Sequence, residues 1–184
     1  GLASTALLAQ FASEMHPAFW AGLATIALIG TADDLFELQP GIKFAAQIAA
    51  ALLMIYWGGL VLISLGDLLS ATPVILNRFA VPLTVFAVIG VVNAINVSDG
   101  ADGLAGGLVL IAVSCIALMS ALSARTGTLA LSLALSGCIA AFLLFNLRTP
   151  WRGRAAIFLG DAGSLSLGFV LAWFTVSGTT RELP

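Results

Sequence analysis

Five aspartates interrupt stretches of this chain that are otherwise apolar. They are Asp33, Asp34, Asp99, Asp102 and Asp161. A charged side chain inside a membrane-spanning segment costs roughly 2.5–3.5 kcal/mol on insertion scales, so several such residues at one membrane surface require a reason. Carboxylates that converge can hold a divalent cation. We therefore predict a metal-assisted phosphoryl-transfer site.

Asp33 and Asp34 form an adjacent pair at the end of an apolar stretch. One explanation of such a pair is purely structural: the two acids are solvated at the membrane interface and cap the helix. However, acids at a helix C-terminus are opposed by the helix dipole, so the pair is not there to stabilise the helix. Lys43 lies at the start of the next apolar stretch, within reach of the same region. These features favour a functional role.

The second segment combines two amides with two acids. Asn93 and Asn96 are three residues apart and share one face of a helix end, and Asp99 and Asp102 follow, each directly before a glycine. Glycine permits a close backbone approach to a ligand, although Asp-Gly steps are also ordinary turn chemistry. Turn chemistry does not explain the two amides, because unpaired polar groups are costly inside a membrane.

The third segment begins at Phe158 and opens the last apolar stretch at Asp161. Aspartate is a good N-cap, so one explanation is that Asp161 only caps a helix. Gly163 and Ser164 would in addition expose backbone N–H groups to an anion, which capping alone does not require. Phe158 could pack at the interface or stack on a nucleobase, and the residues alone leave both open.

Composition indicates which elements position these segments. The chain is 60% hydrophobic and 9% charged, whereas a soluble domain has about 25% charged residues. A helix needs about 20 apolar residues to cross a bilayer. We predict an all-α polytopic membrane protein with one domain over residues 1–184 and six spans: 17–32, 43–65, 80–97, 104–123, 128–147 and 162–178. Residues 1–13 look like the tail of an earlier span, so we expect a fragment of a longer chain.

Counting the crossings places all five aspartates at the same membrane surface. The second, fourth and sixth spans begin there, and a helix N-terminus favours phosphate. Four basic residues fall on the acidic side and three on the other: Lys43, Arg148, Arg152 and Arg154 against Arg78, Arg125 and Arg181. This weak bias predicts that the acidic side is cytoplasmic, in a cell inner (plasma) membrane.

Other classes of protein fit less well. A net charge of −2 gives no reason to expect a nucleic acid partner. The main alternative is an ion-coupled transporter that uses intramembrane carboxylates, but it predicts acids near mid-bilayer and repeated halves, and neither is evident here. The oligomeric state is open, with a homodimer as one alternative.

The three segments together resemble those of the polyprenyl-phosphate N-acetylhexosamine-1-phosphate transferase family. The resemblance runs from about Gly22 to Leu171. It implies a multi-span enzyme at the cytoplasmic face that needs Mg²⁺ or Mn²⁺. The implied substrates are a UDP-sugar and a polyprenyl phosphate. The short stretch from Asp34 to Gln47 is more similar to the branch that uses UDP-N-acetylglucosamine.

The resemblance also implies roles for individual residues. Asp161 corresponds to the metal-ligating aspartate, with Asn96 beside it, and Lys43 to a phosphate-contacting lysine. Phe158 corresponds to a uracil-stacking aromatic. We accordingly expect catalytic roles for Asp33, Asp34, Asp99 and Asp102; substrate contacts from Lys43, Asn93, Asn96, Phe158, Gly163 and Ser164; and metal ligation by Asp161 and Asn96.

The chain departs from the family in two ways. The family's further N-terminal spans and its C-terminal loop with a His/Arg cluster are not in this sequence. The single histidine, His16, falls on the side away from the acids and is expected to be interfacial.

Overall fold

The computed structural model describes residues 15–66, 73–148 and 153–180. Six helices account for most of these residues: α1 (Pro17–Phe36), α2 (Pro40–Leu52), α3 (Ala80–Ser98), α4 (Leu104–Leu122), α5 (Thr126–Asn146) and α6 (Gly160–Thr180). The only pairing of extended chain in this part of the protein is an isolated bridge between Ser64 and Ile75. The predictions for residues 1–13 and for Arg152 and Arg181 lie outside the described residues.

All six helical segments are long and apolar enough to cross a membrane, with α2 extended by a π-helical turn at Leu53–Trp57. This confirms the expected all-α polytopic fold. Two boundaries differ from those predicted. α1 continues to Phe36 rather than residue 32, so the adjacent acids lie in its last turns. The second span ends at Trp57 rather than residue 65, because Gly58 follows it and Gly59 has a φ of +67° that suits glycine.

α6 is the central helix of the described bundle. Half of the residues in its most apolar 18-residue stretch are buried, against 17% for α5, because α6 packs between α1 and α3. Phe19 of α1 contacts Phe169 and Trp173 of α6 in an aromatic cluster with ring centroids 5.3–6.4 Å apart. On the other side, a Cβ on Gly168 would lie 2.6 Å from the Cα atom of Val92, so glycine lets α6 and α3 touch backbone to backbone. This packing fixes where α6 begins.

α4 and α5 form a second packed pair beside this centre. Their shared core contains Val109 and Val113 of α4 with Ile139 and Leu143 of α5, and Ile95 of α3 joins it. The loop between α3 and α4 therefore lies beside the segment that connects α5 to α6.

Successive helices run in opposite directions, so one end of the bundle collects the starts of α2, α4 and α6 and the ends of α1, α3 and α5. The acidic segments all lie at this end. His16 caps the start of α1 at the opposite end, where its ring meets Trp57 edge-on with centroids 6.4 Å apart. His16 therefore lies at the end away from the acids, as expected, and its interfacial position stays a prediction.

Candidate active site

Asp161 lies where three helices meet. Its Oδ2 accepts a hydrogen bond from Lys43 Nζ at 3.0 Å, and its Oδ1 accepts one from Asn96 Nδ2 at 2.9 Å. These partners belong to α2 and α3 and are 118 and 65 residues away along the chain. The carboxylate therefore joins the beginning of α2, the end of α3 and the beginning of α6.

Lys43 is shared between two aspartates. Its Nζ lies 2.8 Å from Asp33 Oδ2 and 3.0 Å from Asp161 Oδ2. Pro40 occupies the first position of α2, where its missing N–H is not needed, and this places Lys43 in the first turn. Asp33 Oδ1 also accepts the backbone N–H of Leu38 at 2.8 Å, which ties the α1–α2 turn to the same carboxylate. The predicted acidic pair and lysine therefore do converge.

Asp34 makes a different set of contacts from its neighbour. Its Oδ1 accepts the backbone N–H of Asp161 at 2.8 Å, and its Oδ2 accepts that of Ala162 at 3.0 Å. Asp34 thus caps α6 from another helix, and Asp161 lies within the first turn with its side chain directed at Lys43 and Asn96. The interpretation of Asp161 as only a helix cap is wrong.

Two glycines make room for this cap. A Cβ on Gly30, one turn before Asp34, would lie 2.6 Å from the Cα atom of Ala162. Gly160 has a φ of +69°, and a Cβ there would lie 2.9 Å from Asp34 Oδ2. Both positions therefore require glycine for the acid to reach the helix start.

The two asparagines of α3 were predicted to share one face of the helix, and they contact different partners there. Asn96 Nδ2 donates to Ser164 Oγ at 2.9 Å as well as to Asp161. Asn93 lies about one turn deeper, where its Nδ2 donates to Gln47 Oε1 at 2.5 Å. Gln47 is buried, so this amide pair satisfies polar groups inside the bundle. The structure does not bring Asn93 into contact with Asp161.

Asp99 lies beside the start of α6, just past the end of α3. It is half-buried, and its carboxylate lies near the backbone N–H of Gly160. Burial raises the pKa of Asp99, and the nearby carboxylates of Asp161 and Asp34 raise it further. A cation bound among these groups would oppose that shift.

Asp102 contacts a different part of the protein. Its Oδ2 accepts a hydrogen bond from Arg148 Nε at 2.6 Å and from the backbone N–H of Ala155 at 3.3 Å. The Arg148 guanidinium lowers the pKa of Asp102. These contacts hold the α5–α6 connection, whereas Asp34 contacts the start of α6 and Asp33 contacts Lys43 and the α1–α2 turn. A catalytic role for Asp102 stays a prediction.

The remaining predicted residues surround the start of α6. Phe158 is 78% exposed, so its ring is free to meet a ligand. Ser164 is fully buried, and its Oγ donates to the carbonyl oxygen of Gly160 at 2.8 Å while it accepts from Asn96. A Cβ on Gly163 would lie 2.6 Å from Leu159 Cδ1, so glycine there relieves packing. Their substrate contacts stay predictions.

Sequence reasoning missed Asn146, at the end of α5. This buried side chain accepts the backbone N–H of Gly103 at 2.7 Å and donates to the carbonyl oxygen of Ile157 at 2.8 Å. It therefore ties the loop with Asp99 and Asp102 to the segment that carries Phe158. The signal was present, because an amide near the end of an apolar span needs a partner.

The donor set suits a hard divalent cation. Asp33, Asp34, Asp99 and Asp161 gather around Lys43 and the start of α6, and such cations prefer oxygen ligands. The described residues contain no group of three or more carboxylate, histidine or cysteine side chains arranged to enclose an ion.

Comparison with known proteins gives consistent matches over most of the chain. Residues 16–179 match the family described as glycosyl transferase family 4. The chain is 33% identical over 161 residues to the undecaprenyl-phosphate alpha-N-acetylglucosaminyl 1-phosphate transferase of Escherichia coli (strain K12), covering 86% of this chain and 44% of that protein. It is 35% identical over 167 residues to the probable undecaprenyl-phosphate N-acetylglucosaminyl 1-phosphate transferase of Bacillus subtilis (strain 168), covering 88% and 44%. The chain thus spans less than half the length of these relatives.

Proposed function

This chain belongs to glycosyl transferase family 4, and we propose that the protein transfers a sugar-1-phosphate from a UDP-sugar to a polyprenyl phosphate and releases UMP. N-acetylglucosamine-1-phosphate is the transferred group that we favour, because the relatives quoted above are named for it. A lipid acceptor is compatible with six helices that are long and apolar enough to cross a membrane.

One observation carries the proposal. Lys43 bridges Asp33 and Asp161, and Asn96 binds the same Asp161 carboxylate, at a single end of the bundle. This arrangement places the Lys43 ammonium group, amide groups and several carboxylates beside the start of α6. A diphosphate with a bound divalent metal ion needs such an environment. A purely structural bundle would have no use for so many charged groups at one end.

The proposed reaction is an in-line displacement at phosphorus. An oxygen of the polyprenyl phosphate attacks the β-phosphorus of the UDP-sugar, and the bond from that phosphorus to the bridging oxygen breaks. The bridging oxygen leaves with the electron pair as part of UMP, and a lipid-linked sugar diphosphate forms. Lys43 is placed to bind a phosphate oxygen, and the exposed Phe158 ring is placed to stack on uracil. Positioning and electrostatics supply most of the rate enhancement in such a reaction.

Mg²⁺ or Mn²⁺ is the cofactor that we propose. Asp161 would hold it through a carboxylate oxygen, and Asn96 would hold it through Oδ1, because both hydrogen bonds described for its amide use Nδ2. When bound, the ion would neutralise charge on the diphosphate. We propose no general base, since a phosphate monoester with a second pKa near 6 is already largely dianionic at pH 7.

The site is proposed to lie at the cytoplasmic face of the inner (plasma) membrane. Among the described residues, three basic side chains belong to the acidic end of the bundle and two to the opposite end: Lys43, Arg148 and Arg154 against Arg78 and Arg125. This placement follows the excess of Lys and Arg in cytoplasmic loops.

The test is an assay of UMP release by the full-length protein in detergent or nanodiscs. The reactants are UDP-N-acetylglucosamine and undecaprenyl phosphate, with Mg²⁺ present or removed by EDTA. We expect release that depends on the lipid and on the metal, and a loss of at least about 10²-fold in Asp161→Asn. Thr31→Ala, at an exposed position on α1, is the matched control and is expected to remain active.

Two results would contradict the proposal. One is the absence of UMP release with any of several UDP-sugars from a folded full-length protein. The other is solute uptake in proteoliposomes that requires the same aspartates, which would favour the transporter.

A further inference from the structure

We infer that the two adjacent aspartates have separate tasks, and that Asp34 is a positioning residue that holds the first turn of α6 and thereby aims Asp161. This inference rests on the proposed function, because Asp161 matters as a metal ligand. Asp34 would then take no proton and touch no substrate. Its effect on the reaction would pass through the backbone of α6.

Asp33 and Asp34 point to different partners because of their positions on the helix. Consecutive residues of an α-helix point about 100° apart, so the two side chains at the end of α1 leave the helix in different directions. Asp33 points to Lys43 Nζ at 2.8 Å, and Asp34 points to the backbone of α6. One acid therefore sets the lysine, and the other sets the helix that carries Asp161.

The cap acts on Asp161 directly. Each carboxylate oxygen of Asp34 accepts one backbone N–H of the first turn, and the N–H at 2.8 Å belongs to Asp161 itself. A carboxylate at this position also interacts favourably with the positive end of the helix dipole. If the cap were lost, the first turn could fray, and Asp161 would lose its alignment with Lys43 and Asn96.

The glycines are an independent observation that supports this task. Gly30 brings the end of α1 against the backbone of Ala162, and Gly160 takes a left-handed conformation that leaves space for the Asp34 carboxylate. Neither glycine is needed for a solvent-facing base, which would reach a substrate without close contact between the two helices. The local sequence is therefore adapted to the cap.

The glycine contact also provides a variant that leaves the carboxylate intact. Gly30→Ala would place a Cβ 2.6 Å from the Cα atom of Ala162 and push the two backbones apart. Gly90→Ala is the matched control, because Gly90 also lies within a long helix and a Cβ there would meet nothing within 4 Å. Asp34→Asn keeps the shape of the side chain but loses its charge and one of its two acceptor oxygens.

The first experiment does not depend on activity. Hydrogen exchange of the full-length protein, followed by mass spectrometry, would measure the amides of residues 160–164. We expect exchange there to be about tenfold faster in Asp34→Asn and in Gly30→Ala, and unchanged in Gly90→Ala. Exchange in Asp34→Asn as slow as in the parent protein would overturn the inference, whether or not the protein transfers a sugar phosphate.

The second experiment separates positioning from proton transfer. In the UMP-release assay, loss of the cap should raise the Mg²⁺ concentration needed for half-maximal rate by about tenfold in both Asp34→Asn and Gly30→Ala. The double variant should be little worse than either single variant, because both remove the same contact. A fall in kcat with unchanged Mg²⁺ dependence, seen in Asp34→Asn alone, would instead identify Asp34 as a reacting group. Failure of the parent protein to release UMP would reject the proposed function. The Asp34 cap would then be tested by the hydrogen-exchange experiment alone.

Discussion

Lys43 in the first turn of α2 lies 3.0 Å from Asp161 in the first turn of α6, although 118 residues separate them. The same ammonium group lies 2.8 Å from Asp33 at the end of α1. Because α1 and α6 both carry acids to this point, their packing leaves like charges close together. The lysine compensates for two of them, and this makes it the electrostatic centre of the candidate site.

Removal of this lysine should affect both activity and stability. Lys43→Ala leaves Asp33 and Asp161 without their shared cation, so we expect kcat to fall by at least about 10²-fold and unfolding to become easier by about 1–2 kcal/mol. Lys43→Arg should recover part of both losses. UMP release and thermal unfolding in detergent are the measurements. Arg78→Ala is the control, because Arg78 lies just before the start of α3 at the end of the bundle away from the site. An equal loss in this variant would contradict the prediction.

Asp99 should destabilise the folded protein at neutral pH. Burial raises its pKa, so the folded state favours the protonated form. Its contribution to stability is complete below the ordinary pKa of an aspartate and is lost as the pH rises through the raised value. We expect Asp99→Asn to raise the unfolding temperature at pH 7 in metal-free buffer, with little change at pH 4. A lower unfolding temperature at pH 7 would count against this.

Asp102 should have the opposite effect and stabilise the folded protein at neutral pH. Arg148 lowers the pKa of Asp102, so its contribution is present above the ordinary pKa of an aspartate and is lost as the pH falls through the lowered value. Asp102→Asn is therefore expected to lower the unfolding temperature at pH 7. Thermal unfolding of both variants over one pH series provides the comparison. Shifts of the same sign in the two variants would show that their different surroundings do not decide the outcome.

Asn146→Ala should uncouple the two loops that flank the site. It removes the partners of the Gly103 N–H and the Ile157 carbonyl oxygen, and an unsatisfied buried polar group costs about 1–3 kcal/mol. We expect a lower unfolding temperature and a higher KM for the UDP-sugar. Ser98→Ala, which removes only a hydroxyl bonded within its own helix, is the control. A KM that stays constant in Asn146→Ala would limit its role to folding.

Phe158→Ala should change substrate binding without changing stability. The ring is 78% exposed and supports little of the core, whereas stacking on a base contributes about 1–3 kcal/mol. We expect KM for the UDP-sugar to rise about tenfold or more and Phe158→Trp to preserve it. Phe86→Ala is the control, because the Phe86 ring on the outer face of α3 is similarly exposed, at 74%. Unaltered KM in Phe158→Ala would exclude the stacking role.

Hydropathy alone determined much of the fold. A stretch of about 20 apolar residues has few conformations open to it in a bilayer other than a helix, since every backbone polar group must be satisfied internally. The number of crossings then determines which loops share a side. For that reason the sequence predicted that the five aspartates would lie at one end of the bundle, and in the structure Asp34 and Asn96 both contact Asp161 there.

Only the tertiary structure decided how the acids divide their partners. Asp33 goes to Lys43, Asp34 to the start of α6, and Asp102 to Arg148. These assignments depend on the rotation of each helix and on close approaches such as that of Gly30 to Ala162, which arise from packing between distant parts of the chain. Periodicity and hydropathy describe each helix separately, so they carry no information on which side chain faces which neighbour.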